Sequence, residues 1–137
     1  GTNSWQVLTP THREVFMLTI YGIPNCDSCK KAHNSLDAAG VDYRFHDVRL
    51  DGIDRADIER WLAAIDWRLL LNTRSTTWRG LDNAQKNDVD QSQAVELMLK
   101  HPTLIKRPVI QSGSEVVVGF SDQSLAKIAH WTGQKVT

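Results

Sequence analysis

Two cysteines in 137 residues are too few to staple a secreted disulfide framework. An excess of charge is missing too, since sixteen Lys and Arg balance sixteen Asp and Glu for a formal net charge of zero. That balance removes any generic electrostatic pull toward nucleic acid or an acidic membrane. No apolar run approaches the ~20 residues of a membrane-spanning helix, and no basic-then-apolar leader opens the chain. His12, His33, His46, His101 and His130 are dispersed without metal-ligand spacing, and a single C-x-x-C lacks the second ligand pair of a zinc site. The five tryptophans come with no basic stripe, so they read as core and interface anchors rather than a stacking platform for bases. These absences leave a cytoplasmic protein with no metal, no membrane segment and no direct nucleic-acid contact. The length suits one domain with a real core.

What is present is concentrated in Ile23-Pro24-Asn25-Cys26-Asp27-Ser28-Cys29-Lys30-Lys31. The stretch follows an apolar strand pattern, Met17-Leu18-Thr19-Ile20-Tyr21, and runs into a helical one. A cysteine between a strand end and a helix start meets N–H groups that have no intrahelical partner. Those groups, with the positive end of the helix dipole, favour thiolate over thiol. Lys30 and Lys31 add positive charge in the first turns. Cys26 is therefore the expected nucleophile. Cys29 has two readings: a resolving thiol for Cys26, or a small apolar residue on the stripe Cys29, Ala32, Leu36 and Ala39.

The rest of the chain changes period in an ordered way. Gly40 is a helix stop, and Val41, Tyr43 and Phe45 alternate with polar residues as a second strand, which makes a parallel βαβ unit. Asp54 caps a helix carrying Ile58, Trp61, Leu62 and Ile65, and Trp67 to Leu71 adds a turn or two ended by the polar run Asn72 to Thr77. Asp90 or Ser92 starts a further helix with Ala94, Val95, Leu97, Met98 and Leu99, closed by His101-Pro102. Pro108 to Ile110 and Val116 to Val118 form a hairpin around Ser112-Gly113-Ser114. Ser121 or Asp122 caps a last helix with Leu125, Ile128 and Ala129 inward and Gly133 beyond its end. Residues 1–16 read as a tag remnant or disordered extension ahead of Met17, with a short strand through Trp5 to Leu8 as the alternative. Residues 17–133 are then one domain and 134–137 a tail.

The order βαβ, helical insertion, ββα around a thiol motif resembles the thioredoxin fold, an α/β class with a mixed four-stranded sheet. Three separated motifs narrow the resemblance: Thr19 to Cys26 (TIYGIPNC), Leu70 to Arg79 (LLNTRSTTWR) and Ile105 to Val109 (IKRPV). Together with Phe45-His46-Asp47 and Gly119-Phe120-Ser121-Asp122, they are similar to the arsenate reductase (ArsC)/Spx family and its YffB-like subgroup, from Met17 to about Gly133. That resemblance implies a glutathione- or thioredoxin-linked thiol oxidoreductase. It also implies glutathione as co-substrate with no bound cofactor, a small anionic substrate, and glutaredoxin or thioredoxin as partner. Arg107 is then the arginine before a cis-proline, Pro108, that faces the thiol and holds an anion; the bland reading is a surface arginine that starts an edge strand. Asn25, Lys30, Asn72, Arg74 and Lys106 complete the expected substrate or glutathione pocket.

Two features depart from the pattern. Arsenate reductases of this type share three arginines around the cysteine, whereas Asn72 stands at the first position and the third falls near Gly119. Arg74 and Arg79, from the loop Thr76 to Arg79, are the substitutes, or else plain solvated charges. YffB relatives generally lack a second cysteine, whereas Spx proteins often carry C-x-x-C, so the resemblance also admits a redox-sensing regulator that binds RNA polymerase. True arsenate reduction is the third alternative.

Overall fold

In the computed structural model, which describes residues 18–133, the alternation around Leu18 and Ile20 becomes strand β1 (Leu18–Gly22). Helix α1 (Asp27–Ala38) buries Cys29, Ala32 and Leu36. Strand β2 (Tyr43–Asp47) then pairs parallel with β1, Leu18 opposite Tyr43 and Gly22 opposite Asp47. The polar turn after β2 is built by Asp47, whose Oδ1 accepts from the amides of Arg49 (2.9 Å) and Leu50 (3.2 Å). Val41 is buried but precedes the strand, so the second strand starts two residues later than its alternation suggested.

The insertion is a string of helices: α2 (Arg55–Leu62), α3 (Trp67–Leu70), α4 (Thr76–Arg79), α5 (Asn83–Lys86) and α6 (Gln91–Lys100). Asp54 caps α2 through the amide of Asp57, and Asp90 caps α6 through that of Gln93. His101 ends α6, and Pro102 opens a single 3-10 turn, Pro102–Leu104. One expectation is corrected here. Thr76 to Arg79 is not loop but one helical turn, because the Ser75 hydroxyl accepts from the Trp78 amide and closes its N-terminus.

The chain returns as the hairpin β3 (Val109–Ser112) and β4 (Glu115–Val118), turning at Gly113, whose φ of 58° suits glycine. Helix α7 (Asp122–Thr132) is capped by Ser121 and stopped by Gly133 at φ 70°. Its inward residues are Ser124, Ile128 and Trp131; Leu125 and Ala129, expected inward, are half-buried at the margin. The sheet order is β2-β1-β3-β4, with β3 antiparallel to both neighbours. One face packs Leu18, Ile20 and Ile110 against α1 and α7. The other packs Tyr21, Val109 and Val116 against α2 and α6, with Trp61 fully buried and its indole N–H donated to Gln111 Oε1 at 2.9 Å. The expectations for residues 1–17 and 134–137 lie outside the described residues.

Candidate active site at the first helix N-terminus

Strand β1 delivers the chain to the C-terminal edge of the sheet, Pro24 and Asn25 turn it, and Cys26 becomes the N-cap of α1 with extended backbone (φ −109°, ψ 126°). Its carbonyl accepts from the Lys30 amide at 2.9 Å, while its side chain closes no capping hydrogen bond. The sulfur is half-buried, and burial by itself would raise its pKa. The amide of Cys29, the Cys29 thiol, the Arg107 guanidinium and the amide of Ser28 outweigh that and hold Cys26 below the ordinary thiol value.

Cys29 is the opposite case. It has no exposed surface, and burial pushes its thiol up to about 12, with the neighbouring Cys26 sulfur adding to the rise. Both cysteines are free thiols. The two readings of Cys29 therefore coincide in one place: it sits on the apolar stripe of α1, and its thiol faces Cys26. Gly22 makes room for it. A Cβ at Gly22 would run into Cys29 Sγ, and the backbone of Gly22 is not in the left-handed region, so the requirement is space rather than conformation.

Arg107 comes from the segment between the 3-10 turn and β3. It precedes Pro108 through a cis peptide bond. Its Nη1 donates to Thr103 O at 3.4 Å, and its Nε is buried with no hydrogen-bond partner among the described residues. Thr103 is held in turn by Thr77 Oγ1 at 2.7 Å, so α4 braces the arginine from behind. A permanently charged planar fork with an unused donor, beside a thiol of lowered pKa at a helix N-terminus, is an arrangement that binds oxyanions or carboxylates.

The remaining expected residues are spread out. Pro108 is buried behind Arg107. Asn72 joins the neighbouring segment: its amide donates to Leu104 O at 2.7 Å, and its Oδ1 accepts from the Arg74 amide at 3.0 Å. Arg74 is exposed, and Arg79 is turned onto the Arg74 carbonyl at 3.1 Å. Asn25 and Lys30 are exposed on the rim, and Lys106 is exposed along a separate groove beside β4. Gly22, Thr77 and Thr103 were not singled out from the sequence. Gly22 is the last residue of β1, and Thr103 carries no sequence signal beyond its place after a proline. Among the described residues no cluster of His, Cys, Asp and Glu is arranged to hold a metal ion, and no helix is long and apolar enough to cross a membrane.

The chain is similar to known proteins along most of its length. The model of the ArsC family matches residues 21–128. An uncharacterised protein of Haemophilus influenzae is 40% identical over 107 residues, covering 78% of this chain and 94% of that protein. The global transcriptional regulator Spx of Streptococcus mutans is 25% identical, covering 80% of each chain. Among solved structures, a YFFB protein superimposes with a TM-score of 0.77 at 46% identity, covering 81% of this chain and 97% of that one. An arsenate reductase (ArsC) related protein from Brucella melitensis gives 0.66 at 42% identity, covering 79% and 90%. With a thioredoxin-like mixed sheet and a family match across most of its length, the chain belongs to the ArsC family.

Proposed function

We propose that this protein is a thiol-dependent oxidoreductase linked to glutathione or a thioredoxin-type dithiol, with Cys26 as nucleophile and Arg107 as anion holder. The observation that carries the reading is the contrast between the two thiols, one held acidic at an uncapped helix end beside an arginine and the other held protonated behind it.

The Cys26 thiolate attacks one sulfur of a disulfide such as oxidised glutathione. A new sulfur–sulfur bond forms, the old one breaks, and the leaving thiolate carries away the electron pair and takes a proton from water. Arg107 holds a carboxylate of the bound partner, and the positive end of the α1 dipole adds to the field there. With a substrate disulfide other than oxidised glutathione, a glutathione attacks Cys26 Sγ and displaces the bound half as its thiol; a second glutathione then attacks the glutathione sulfur, leaves as oxidised glutathione and returns Cys26 to thiolate. Cys29 instead attacks Cys26 Sγ, releases the bound half as its thiol and closes a Cys26–Cys29 disulfide, which needs two electrons from a further thiol pair to reopen. Burial slows the Cys29 route at neutral pH, because the buried thiol ionises poorly; the part of the penalty due to the Cys26 charge lapses once Cys26 is in a mixed disulfide. Incubating the reduced protein with oxidised glutathione at pH 7 should place one glutathione on Cys26 by mass spectrometry and none on Cys26→Ser. An unmodified Cys26 with an ordinary titration midpoint would sink the reading.

A second reading is favoured by relatives named global transcriptional regulator Spx and regulatory protein MgsR, each 25% identical. In it, the cysteine pair switches binding to RNA polymerase, and polymerase capture that differs between reduced and oxidised protein is its test. Arsenate reduction fits less well, because Asn72 and Gly119 stand where guanidinium groups are expected. Turnover of arsenate with glutathione and glutaredoxin, abolished by Arg107→Ala, would restore it.

A further inference from the structure

The open edge of the sheet lies away from the thiols and carries its own chemistry. Strand β4 is terminal in the order β2-β1-β3-β4. In its ladder with β3, Val118 stands opposite Val109 and Val117 opposite Ile110, and the Gly119 amide donates to Pro108 O at 2.8 Å in the same register. Antiparallel pairs alternate between bonded and non-bonded. The Gly119–Pro108 bond therefore fixes Val117 and Glu115 as bonded toward β3, and turns the N–H and C=O of Val116 and Val118 outward. No partner for those outward groups occurs among the described residues.

A groove of about 640 Å³ runs along that edge. Val116, Val117 and Val118 all line it, although Val117 packs on the opposite face of the sheet from the other two. The groove therefore follows the strand's edge and does not sit on one face. Ile65 and the exposed Leu69 wall it on one side and α7 on the other. Its ionisable lining is basic: Lys106, Lys127 and His130, with no carboxylate. Glu115 reaches Lys127 at 3.6 Å from outside the lining. In a chain of net charge zero, that bias is local.

We propose that this groove docks an extended acidic and apolar segment of a partner protein, which joins the sheet as a fifth strand beside β4. Backbone pairing to Val116 and Val118 supplies the strand geometry, alternate apolar side chains rest on Ile65 and Leu69, and the carboxylates face the three basic groups. A second copy of this chain fits worse, since edge-to-edge pairing would bring the same cations together.

The test uses the full chain and a dye-labelled hexapeptide alternating glutamate and valine. Saturable binding is expected. It should weaken at least about ten-fold with lysine in place of glutamate, with Lys127→Glu, or at high salt. In Val118→Pro the ladder to β3 survives but one outward N–H is lost, and binding should fall similarly. Amide exchange reads the edge directly: Val116 and Val118 should exchange rapidly in the free protein, Val117 slowly, and all three slowly when the peptide is bound. Equal binding of the lysine peptide overturns the proposal. So does protection of Val116 and Val118 without peptide, which would assign the edge to the chain's own terminus, or to a second copy if the protection grows with protein concentration.

Discussion

Helix α1 and the six helices that follow begin differently. Asp54, Asp66, Ser75, Asp82, Asp90 and Ser121 each close the N-terminus of their helix with a side-chain oxygen, and at Asp54 and Asp82 the capping is reciprocal. Cys26 occupies the same position in α1 and closes nothing. The insertion and the last helix thus satisfy their own amides, whereas the thiol corner keeps its amides for a charge. The first arrangement adds stability at each helix start, and the second favours a reactive sulfur.

The largest separation is expected from Cys26→Ser. Serine is a good N-cap, so unfolding stability should hold or rise by up to about 1 kcal/mol, while glutathione capture disappears. Denaturant melts and adduct mass together check this, and a loss of stability would mean that the sulfur packs more than it reacts. Next comes Arg107→Ala, which removes a cation that favours the thiolate. The midpoint for alkylation of Cys26 should move up and its rate at pH 7 should fall roughly ten-fold, with Arg107→Lys intermediate. A rate unchanged in both variants would leave the helix amides and the Cys29 thiol as the sources of acidity.

Gly22→Ala sharpens the comparison from the packing side. The added methyl must displace Cys29 Sγ, at a cost of about 1–3 kcal/mol, and Gly22→Ala,Cys29→Ala should recover most of it. A thermal melt of the pair measures the coupling.

The pH dependence follows from the two thiols. Cys26 is lowered in the fold, so the unfolded chain binds more protons between the folded value and 9.0, and stability rises with pH across that window. Cys29 is raised from 9.0 to about 12, so the unfolded chain loses its proton first and stability falls with pH between those values. Cys29→Ala should flatten part of that alkaline decline, and Tyr43, pushed up to about 12 by burial and Asp37, accounts for a further part. The smallest effect belongs to the insertion: Asp90→Ala should cost about 1 kcal/mol and leave the alkylation rate of Cys26 unchanged.

Where the chain has a period, its fold could be read directly. Leu18 and Ile20, the stripe Cys29-Ala32-Leu36 and the hairpin around Gly113 each repeat often enough to show their element and face. Helices α4 and α5 are single turns without a repeat; their signals were the capping residues Ser75 and the Asp82–Gln85 pair, which short range alone makes meaningful. Cys26 was legible from its spacing and its place before a helix, and Arg107 from the family motif. Gly22 and Thr103 were not legible, because the need for each exists between segments: one clears space for a sulfur seven residues on, the other accepts from a guanidinium four residues on and is pinned by Thr77.

Leu71 bridges Ile105, with the Asn72 amide on Leu104 O and the Lys106 amide on Leu70 O at 2.8 Å. Everything between residues 73 and 103 leaves and returns through that buckle. Loop closure costs grow slowly with length, so the connection between α4 and α6 can change length while the buckle and the Thr77–Thr103 contact still hold Arg107 in place.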